Sequence, residues 1–236
     1  MLVDADGRFQ TQRRHPRMAL LKTGFAADGF VVTAPGRQPL RLPLALEGAD
    51  YQRCAVRVWT SEVEALLAAP DTNIWFSEYM GFACGLVYLA DDEHRAVPNP
   101  AAAFDDEVSF ADGAPVLLIS DASLAGLNAK LARPVSMDRF RPNIVVSARK
   151  PHAEDSWKRI AIGDAEFDVA WSCSRCIMPS IDQDSGAMAA DAEPLTTLNS
   201  YRRRGGKVYF GQNLIPRRLG TIRIGASCKI DEIIEP

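Results

Sequence analysis

The stretch IAIGDAEFDVAWSCSRC, residues 160–176, carries two patterns in succession. Ile160 and Ile162 alternate with small residues, Gly163-Asp164 is a turn pair, and Phe167, Val169 and Trp171 alternate again. Period-two alternation on both sides of a glycine turn is the signature of a β-hairpin. The second strand runs straight into Cys173, and Cys176 follows with Ser174 and Arg175 between. The turn-rich DQDSG, residues 182–186, lies just beyond. A pair of thiols therefore sits at a strand end, where loops carry chemistry on a rigid scaffold.

The rest of the chain reads as a mixture rich in strands. Phe30-Val31-Val32 after AADG, Leu40 to Leu44, and Ala55 to Trp59 are short strands of a small β unit. Thr60 or Ser61 is placed to cap a helix with Val63, Leu66 and Leu67 on one face, and a second short helix is expected over Trp75 to Met80. Residues 92–114, rich in Pro, Asp and Ala, read as a surface loop. Pro115 to Ser120 reads as a buried strand. Asp121 or Ser123 then caps a helix with Leu124, Leu127 and Leu131 in its stripe, and Asn143 to Ser147 is a further strand. Lys207 to Phe210 and Thr221 to Ile224 are the last strand-like runs. The class is α+β and β-rich.

A C-x-x-C has several uses. A structural zinc site needs four ligands, and no second pair accompanies this one; His15, His94 and His152 are scattered. A thioredoxin-like dithiol opens a helix, whereas a proline and a turn follow here. Both cysteines can also be small buried hydrophobes. Arg175 would stabilise a thiolate close by. Upstream, in FRPNIVVS, Pro142 sets an extended backbone that would let Arg141 and Asn143 share a face. An arginine fork suits a phosphate and an asparagine suits a heterocycle. A phosphorylated ligand with a thiophilic metal would use all these groups, and the residues alone do not choose the metal.

The ordered series RFRPNIVVS, AEDSW, IGDAEF, CSRC, SIDQDSG, EPLTTLNSYR and FGQN resembles the MOSC domain family, in the branch of the mitochondrial amidoxime reducing component and its bacterial relatives. The resemblance implies a MOSC-type β-barrel core over residues 91–236, preceded over 1–90 by an incomplete MOSC N-terminal β-barrel region. It implies the molybdenum cofactor in its molybdopterin form, with Cys176 as metal ligand and Cys173 structural. Ser174 and Arg175, with Arg141 and Asn143, match cofactor-holding positions. Gly113 and Ala114 match a loop near the cofactor, although the family's hydroxyl residues are missing there. Asp182 is a candidate catalytic neighbour of the metal loop, and Gln212 and Asn213 of FGQN are candidate pocket residues.

The implied activity is reduction of N-hydroxylated small molecules such as amidoximes, hydroxylamines and N-hydroxylated bases. No G-x-G-x-x-G opens a helix. Electrons are therefore expected from a separate flavin or iron–sulfur protein, and a pyridoxal phosphate site is not expected. The alternatives are a non-catalytic cofactor or sulfur carrier, and an inactive shortened paralogue acting as an interaction module. Against the family pattern the chain begins inside the first strand, without a Lys-Ser pair and an arginine that hold cofactor. Weak cofactor binding and an open sheet edge are the corresponding expectations.

Composition narrows the classes further. The chain has 236 residues, 47% of them hydrophobic, with a formal net charge of -3. That balance is ordinary for a globular protein and gives no bulk basic surface for nucleic acid. The apolar runs are too short to span a membrane, and the start lacks the pattern of a signal peptide. Five cysteines, an odd count, fit reduced thiols in a cytoplasm.

Overall fold

The structure is a computed structural model describing residues 1–44 and 51–233. The chain divides into two compact units. The first comprises Met1–Arg95 and Ile181–Met188, the second Ala96–Ser180 and Ala189–Pro236. The fold is strand-rich α+β, as the sequence pattern implies.

In the first unit the strands are β1 (Leu2–Asp4), β2 (Lys22–Ala26), β3 (Gly29–Thr33), β4 (Leu40–Pro43), β5 (Gln52–Val58), β6 (Ser61–Leu67) and, after helix α1 (Pro70–Met80), β7 (Cys84–Tyr88). They form a sheet of order β1-β7-β6-β5 and a three-stranded sheet β2-β3-β4. Helix α1 starts on Pro70, whose missing N–H costs nothing in a first turn, and stops on a left-handed Gly81. It is thus longer than the Trp75–Met80 segment read from the sequence. Its Trp75, Phe76, Tyr79 and Met80 bury against Leu2, Val32 and Cys84.

The helix expected after Thr60 is instead strand β6. Its SEVEALL pattern fits period two as well as helical spacing. The hairpin with β5 decides between them, placing Arg57 directly opposite Glu62 in an ion pair.

The second unit contains β8 (Val116–Ser120), α2 (Asp121–Asn128), β9 (Ile144–Val146), β10 (Trp157–Ile162), β11 (Ala165–Ser174), α3 (Leu195–Tyr201), β12 (Arg203–Arg204), β13 (Lys207–Arg218) and β14 (Cys228–Ile233). The sheet runs β14-β10-β11-β13-β8-β9, with β12 paired to β13. The β10–β11 hairpin forms as read, with Ile160 opposite Phe167 and Ile162 opposite Ala165. Leu118, Trp157, Ile160, Phe167 and Leu214 make one core of this unit; Ile119, Leu127, Phe140, Leu198 and Phe210 make another.

Three local readings change. The cap of α2 is Ser120, the last residue of β8, whose Oγ accepts the Ser123 N–H at 3.1 Å; Asp121 and Ser123 lie inside the helix. Leu131 lies past the helix end but still packs on this core. Thr221 to Ile224 is not a strand: the Thr221 carbonyl accepts the Asp164 N–H, and pairing with β10 resumes only at Cys228. The 92–114 segment holds no helix or strand, yet buries Val97 and Val108 against Ile215.

Among the described residues no helix is long and apolar enough to cross a membrane.

Candidate functional site

The C-x-x-C segment is positioned by β11 and β13. Their register slips by one residue between Ser172, opposite Gln212, and Ser174, opposite Tyr209. The extra residue is accommodated where Gly211 adopts φ +86. A Cβ there would lie 2.7 Å from Ile119 Cγ1 and 2.9 Å from the Leu118 carbonyl oxygen. Only glycine suits both the angle and the space, which accounts for the glycine of FGQN. Beyond the bulge the Arg175 N–H donates to Val208 O at 2.8 Å, so the chain leaves the strand with Arg175 fixed and Cys176 outside the ladder.

Arg175 is the hub. Its Nη2 donates to Phe140 O at 2.8 Å, and its guanidinium carbon sits 5.5 Å from the centre of the Phe140 ring. Its Nη1 donates to Cys173 Sγ at 3.1 Å. The arginine therefore serves the first cysteine. The Cys176 thiol is half-buried and has no hydrogen-bond partner among the described residues. Arg175 Nε is buried and unpartnered.

Phe140 closes a short 3-10 turn, Met137–Phe140, and Arg141 follows in the left-handed region at φ 55, ψ 47. This corrects the extended backbone inferred from Pro142. The Arg141 N–H closes on Asp138 O at 3.1 Å, and that hydrogen bond outweighs the usual pre-proline preference. Arg141 and Asn143 thus do not share a face by strand alternation. Asn143 donates its N–H to Leu117 O at 2.9 Å and accepts the Leu117 N–H on Oδ1 at 2.8 Å, extending the β8–β9 pairing with its side chain. Both residues are exposed. Through Phe140, this turn is tied directly to the CSRC segment.

The other candidates are dispersed. Gly113 and Ala114 lie on the approach to β8, Gly113 with open space around it and Ala114 buried. Gln212 is buried and donates to Asp155 Oδ1 at 2.6 Å; Asp155 also pairs with Arg202 at 2.6 Å. Gln212 is therefore engaged in an internal polar network. Asn213 lies opposite Trp171 on β11 and Leu117 on β8. Asp182 belongs to the first unit, and its Oδ1 accepts from Ser185 N, Ser185 Oγ and Asp184 N, the hydrogen bonding of a turn.

Among the described residues no three His, Cys, Asp or Glu side chains are grouped as a protein-only metal site requires.

One feature shares only Ser174 with the candidate residues. A cleft of about 490 Å³ is lined by Asn99, Trp171, Ser172, Ser174, Arg204, Gly205, Lys207 and Tyr209. Its signal in the sequence is the run RRRGGK, residues 202–207. Behind the sheet, His152 stands 5.9 Å from the Phe210 ring; burial, reinforced by the Arg202 charge, holds its pKa below the ordinary value.

Comparison with known proteins matches the MOSC domain model to residues 105–229 and the MOSC N-terminal beta barrel domain model to residues 1–83. Mitochondrial amidoxime-reducing component 1 of Homo sapiens is 32% identical, over 95% of this chain and 70% of its own length. Mitochondrial amidoxime reducing component 2 of Rattus norvegicus is 31% identical over the same shares. Molybdenum cofactor sulfurase of Oryza sativa subsp. japonica is 33% identical over 89% of this chain, which spans 28% of that longer protein.

Proposed function

The chain belongs to the MOSC domain family, and we propose that it is a molybdenum-cofactor-dependent reductase of N-hydroxylated compounds, taking amidoximes and hydroxylamines as substrates. Its relatives carry names tied to amidoxime reduction and to the molybdenum cofactor. The observation that carries the reading is the division of labour within CSRC. Arg175 engages Cys173 and leaves the Cys176 thiol without a protein partner at a strand end.

The residues fit the group. Cys176 offers one soft ligand, which suits a metal whose other ligands are dithiolene sulfurs. Arg175 keeps a buried, unpartnered Nε, and Arg141 is an exposed residue on the adjoining turn; both are cations that suit a phosphorylated pterin. Asn143 retains its amide N–H groups for a heterocycle, since its Oδ1 is taken by Leu117. Ser174, Gly113 and Ala114 offer hydroxyl and backbone groups in the same unit. When bound, the cofactor would supply a metal that accepts the substrate oxygen as the N–O bond breaks.

The protein's own part is to hold that group and orient the substrate, with Arg175 fixed between the Phe140 carbonyl and Cys173. Asp182 serves this reading as the residue that shapes its turn. Reducing equivalents would come from a separate flavin or iron–sulfur protein, and the five free thiols suit a reducing, cytoplasmic setting.

The test is elemental analysis for molybdenum on protein produced with the cofactor, beside benzamidoxime reduction with an artificial electron donor. Bound molybdenum with turnover, both lost in Cys176→Ser, is the expected result. Absence of metal from the wild-type chain overturns the reading. A cofactor or sulfur carrier is the second reading, favoured by the 33% identity to the sulfurase; bound metal without turnover would select it.

A further inference from the structure

The cleft beside CSRC contains cations that no carboxylate among the described residues neutralises. Arg204 and Lys207 face each other across the β12–β13 pairing, brought together by a tight turn in which Gly205 and Gly206 both have positive φ. Like charges directly opposite on paired strands repel. Among the described residues, neither Arg204 nor Lys207 has a carboxylate partner, and no acidic residue lines the cleft. Elsewhere on this acidic chain exposed arginines are commonly paired, as Arg53 is with Asp92 and Arg218 with Glu166.

Arg204 is nonetheless held in place. Its Nη2 donates to Ser172 Oγ at 3.2 Å, and its guanidinium lies 4.9 Å from the centre of the Tyr209 ring. An arginine fork fixed by a hydroxyl and an aromatic face, next to a free ammonium, is arranged to receive an anion. The walls add two aromatic rings, Trp171 and Tyr209, and the polar Asn99, Ser172 and Ser174. The volume suits a small molecule. Ser174 joins this cleft to the C-x-x-C, since Cys176 follows it by two residues.

We infer that this cleft is an anion subsite for a planar aromatic ligand bearing a carboxylate or phosphate, with Arg204 and Lys207 on the anion and Trp171 and Tyr209 against the ring. Resting on the reductase reading, it selects, among N-hydroxylated aromatic substrates, those that carry such a group.

The first experiment needs no turnover. Calorimetric titration with phenyl phosphate, benzoate and phenol is run on the wild type, on Arg204→Gln/Lys207→Gln and on Arg41→Gln, a control for charge at an exposed residue of the other unit. The wild type and the control bind one or both anions, the better of the two naming the group the subsite prefers, and phenol binds at least about tenfold more weakly. The double variant, with an unchanged melting temperature, loses about tenfold or more in affinity, as expected for removal of charge-assisted hydrogen bonds. Equal binding by wild type and double variant, or equal binding of phenol and both anions, overturns the proposal.

The second experiment compares kcat/KM for 4-carboxybenzamidoxime and benzamidoxime. A preference for the charged substrate that the double variant removes supports the subsite, and an unchanged preference overturns its role in selection. Loss of turnover on both substrates in the wild type would sink the reductase reading, while the calorimetric result would still decide the subsite.

Discussion

Arg175 donates from Nη1 to the sulfur of Cys173 at 3.1 Å, so the two cysteines of CSRC are chemically unlike. Cys173 is part of the packing that anchors Arg175; Cys176 is the thiol without a hydrogen-bond partner among the described residues. Cys173→Ala should retain molybdenum close to the wild-type level and lose about 1 kcal/mol of stability, the worth of one hydrogen bond. Cys176→Ser should keep its stability and lose metal or activity. Elemental analysis and urea unfolding on the pair of variants check this, and equal metal loss in both would remove the distinction.

Arg141 occupies the left-handed region with a full side chain, which costs a non-glycine residue roughly 1 kcal/mol. Arg141→Gly and Arg141→Ala both remove the guanidinium, but only glycine relieves the backbone. The glycine variant should therefore be the more stable by about 1 kcal/mol, while both bind the cofactor equally poorly. Urea midpoints separate the two effects. A more stable alanine variant would contradict the left-handed geometry.

Gly211 carries the bulge that offsets Ser174 from Ser172. An added methyl would meet Ile119 at 2.7 Å and the Leu118 carbonyl at 2.9 Å at a φ of +86. Gly211→Ala should cost about 2–3 kcal/mol, combining strain with overpacking. The damage should reach beyond stability, because the same bulge sets where Cys176 emerges. Amide exchange at Arg175, whose N–H donates to Val208 O, should accelerate in the variant; unchanged protection would show that the bulge does not hold the segment.

The hairpin over Ile160 to Trp171 was legible because alternation and a Gly-Asp turn coincide there. The CSRC pair stood out in the sequence, but the residues alone left metal ligation and plain packing of two small thiols both open, and the unlike surroundings of Cys173 and Cys176 emerge only from the contact of Arg175 with Cys173. The β6 strand was not, because Val63, Leu66 and Leu67 satisfy both periods and only the cross-strand partner Arg57–Glu62 settles the choice. Arg141 was misread for a related reason: Pro142 biases its predecessor locally, and the turn hydrogen bond to Asp138 overrides that bias. The engagement of Gln212 with Asp155 joins residues far apart in the chain, which no local pattern reports. The RRRGGK run was visible, but its meaning depends on Trp171 and Ser172, brought beside it only by the sheet.

Arg217 bridges Asp106 and Asp168, and Asp106 is nearly fully buried. Burial pushes both carboxyls up, yet Arg217, joined by the Ala103 N–H at Asp106 and by Arg159 at Asp168, outweighs it and holds each below the ordinary value of 3.8. A carboxyl depressed in the folded state contributes stability that is full above its unfolded pKa and is lost as pH falls through the lower folded value. Arg217→Met should cost about 2–3 kcal/mol at neutral pH, by leaving Asp106 buried without its cation. The gap between variant and wild type should shrink as the pH drops below about 4, where the unfolded carboxyls take up protons. Urea unfolding at pH 7 and pH 3 measures it; a gap of constant size would exclude the bridge as its source.

His152 works in the opposite chemical sense. Burial first, and the Arg202 charge second, hold its pKa below the ordinary 6.5. A histidine depressed on folding is neutral at pH 7 and adds no penalty there. As pH falls below 6.5 the unfolded chain takes up the proton before the folded one, so stability drops until the folded value is passed. The backbone at His152 has φ 60, a conformation that asparagine tolerates well. His152→Asn should therefore fold and should flatten the decline in stability between about pH 6.5 and pH 5, a window above the range of most carboxylates. The imidazole proton resonance of His152, followed by NMR, should titrate below 6.5. A titration at or above that value, or an equally steep decline in the asparagine variant, would show that His152 is not the acid-sensitive group of this core.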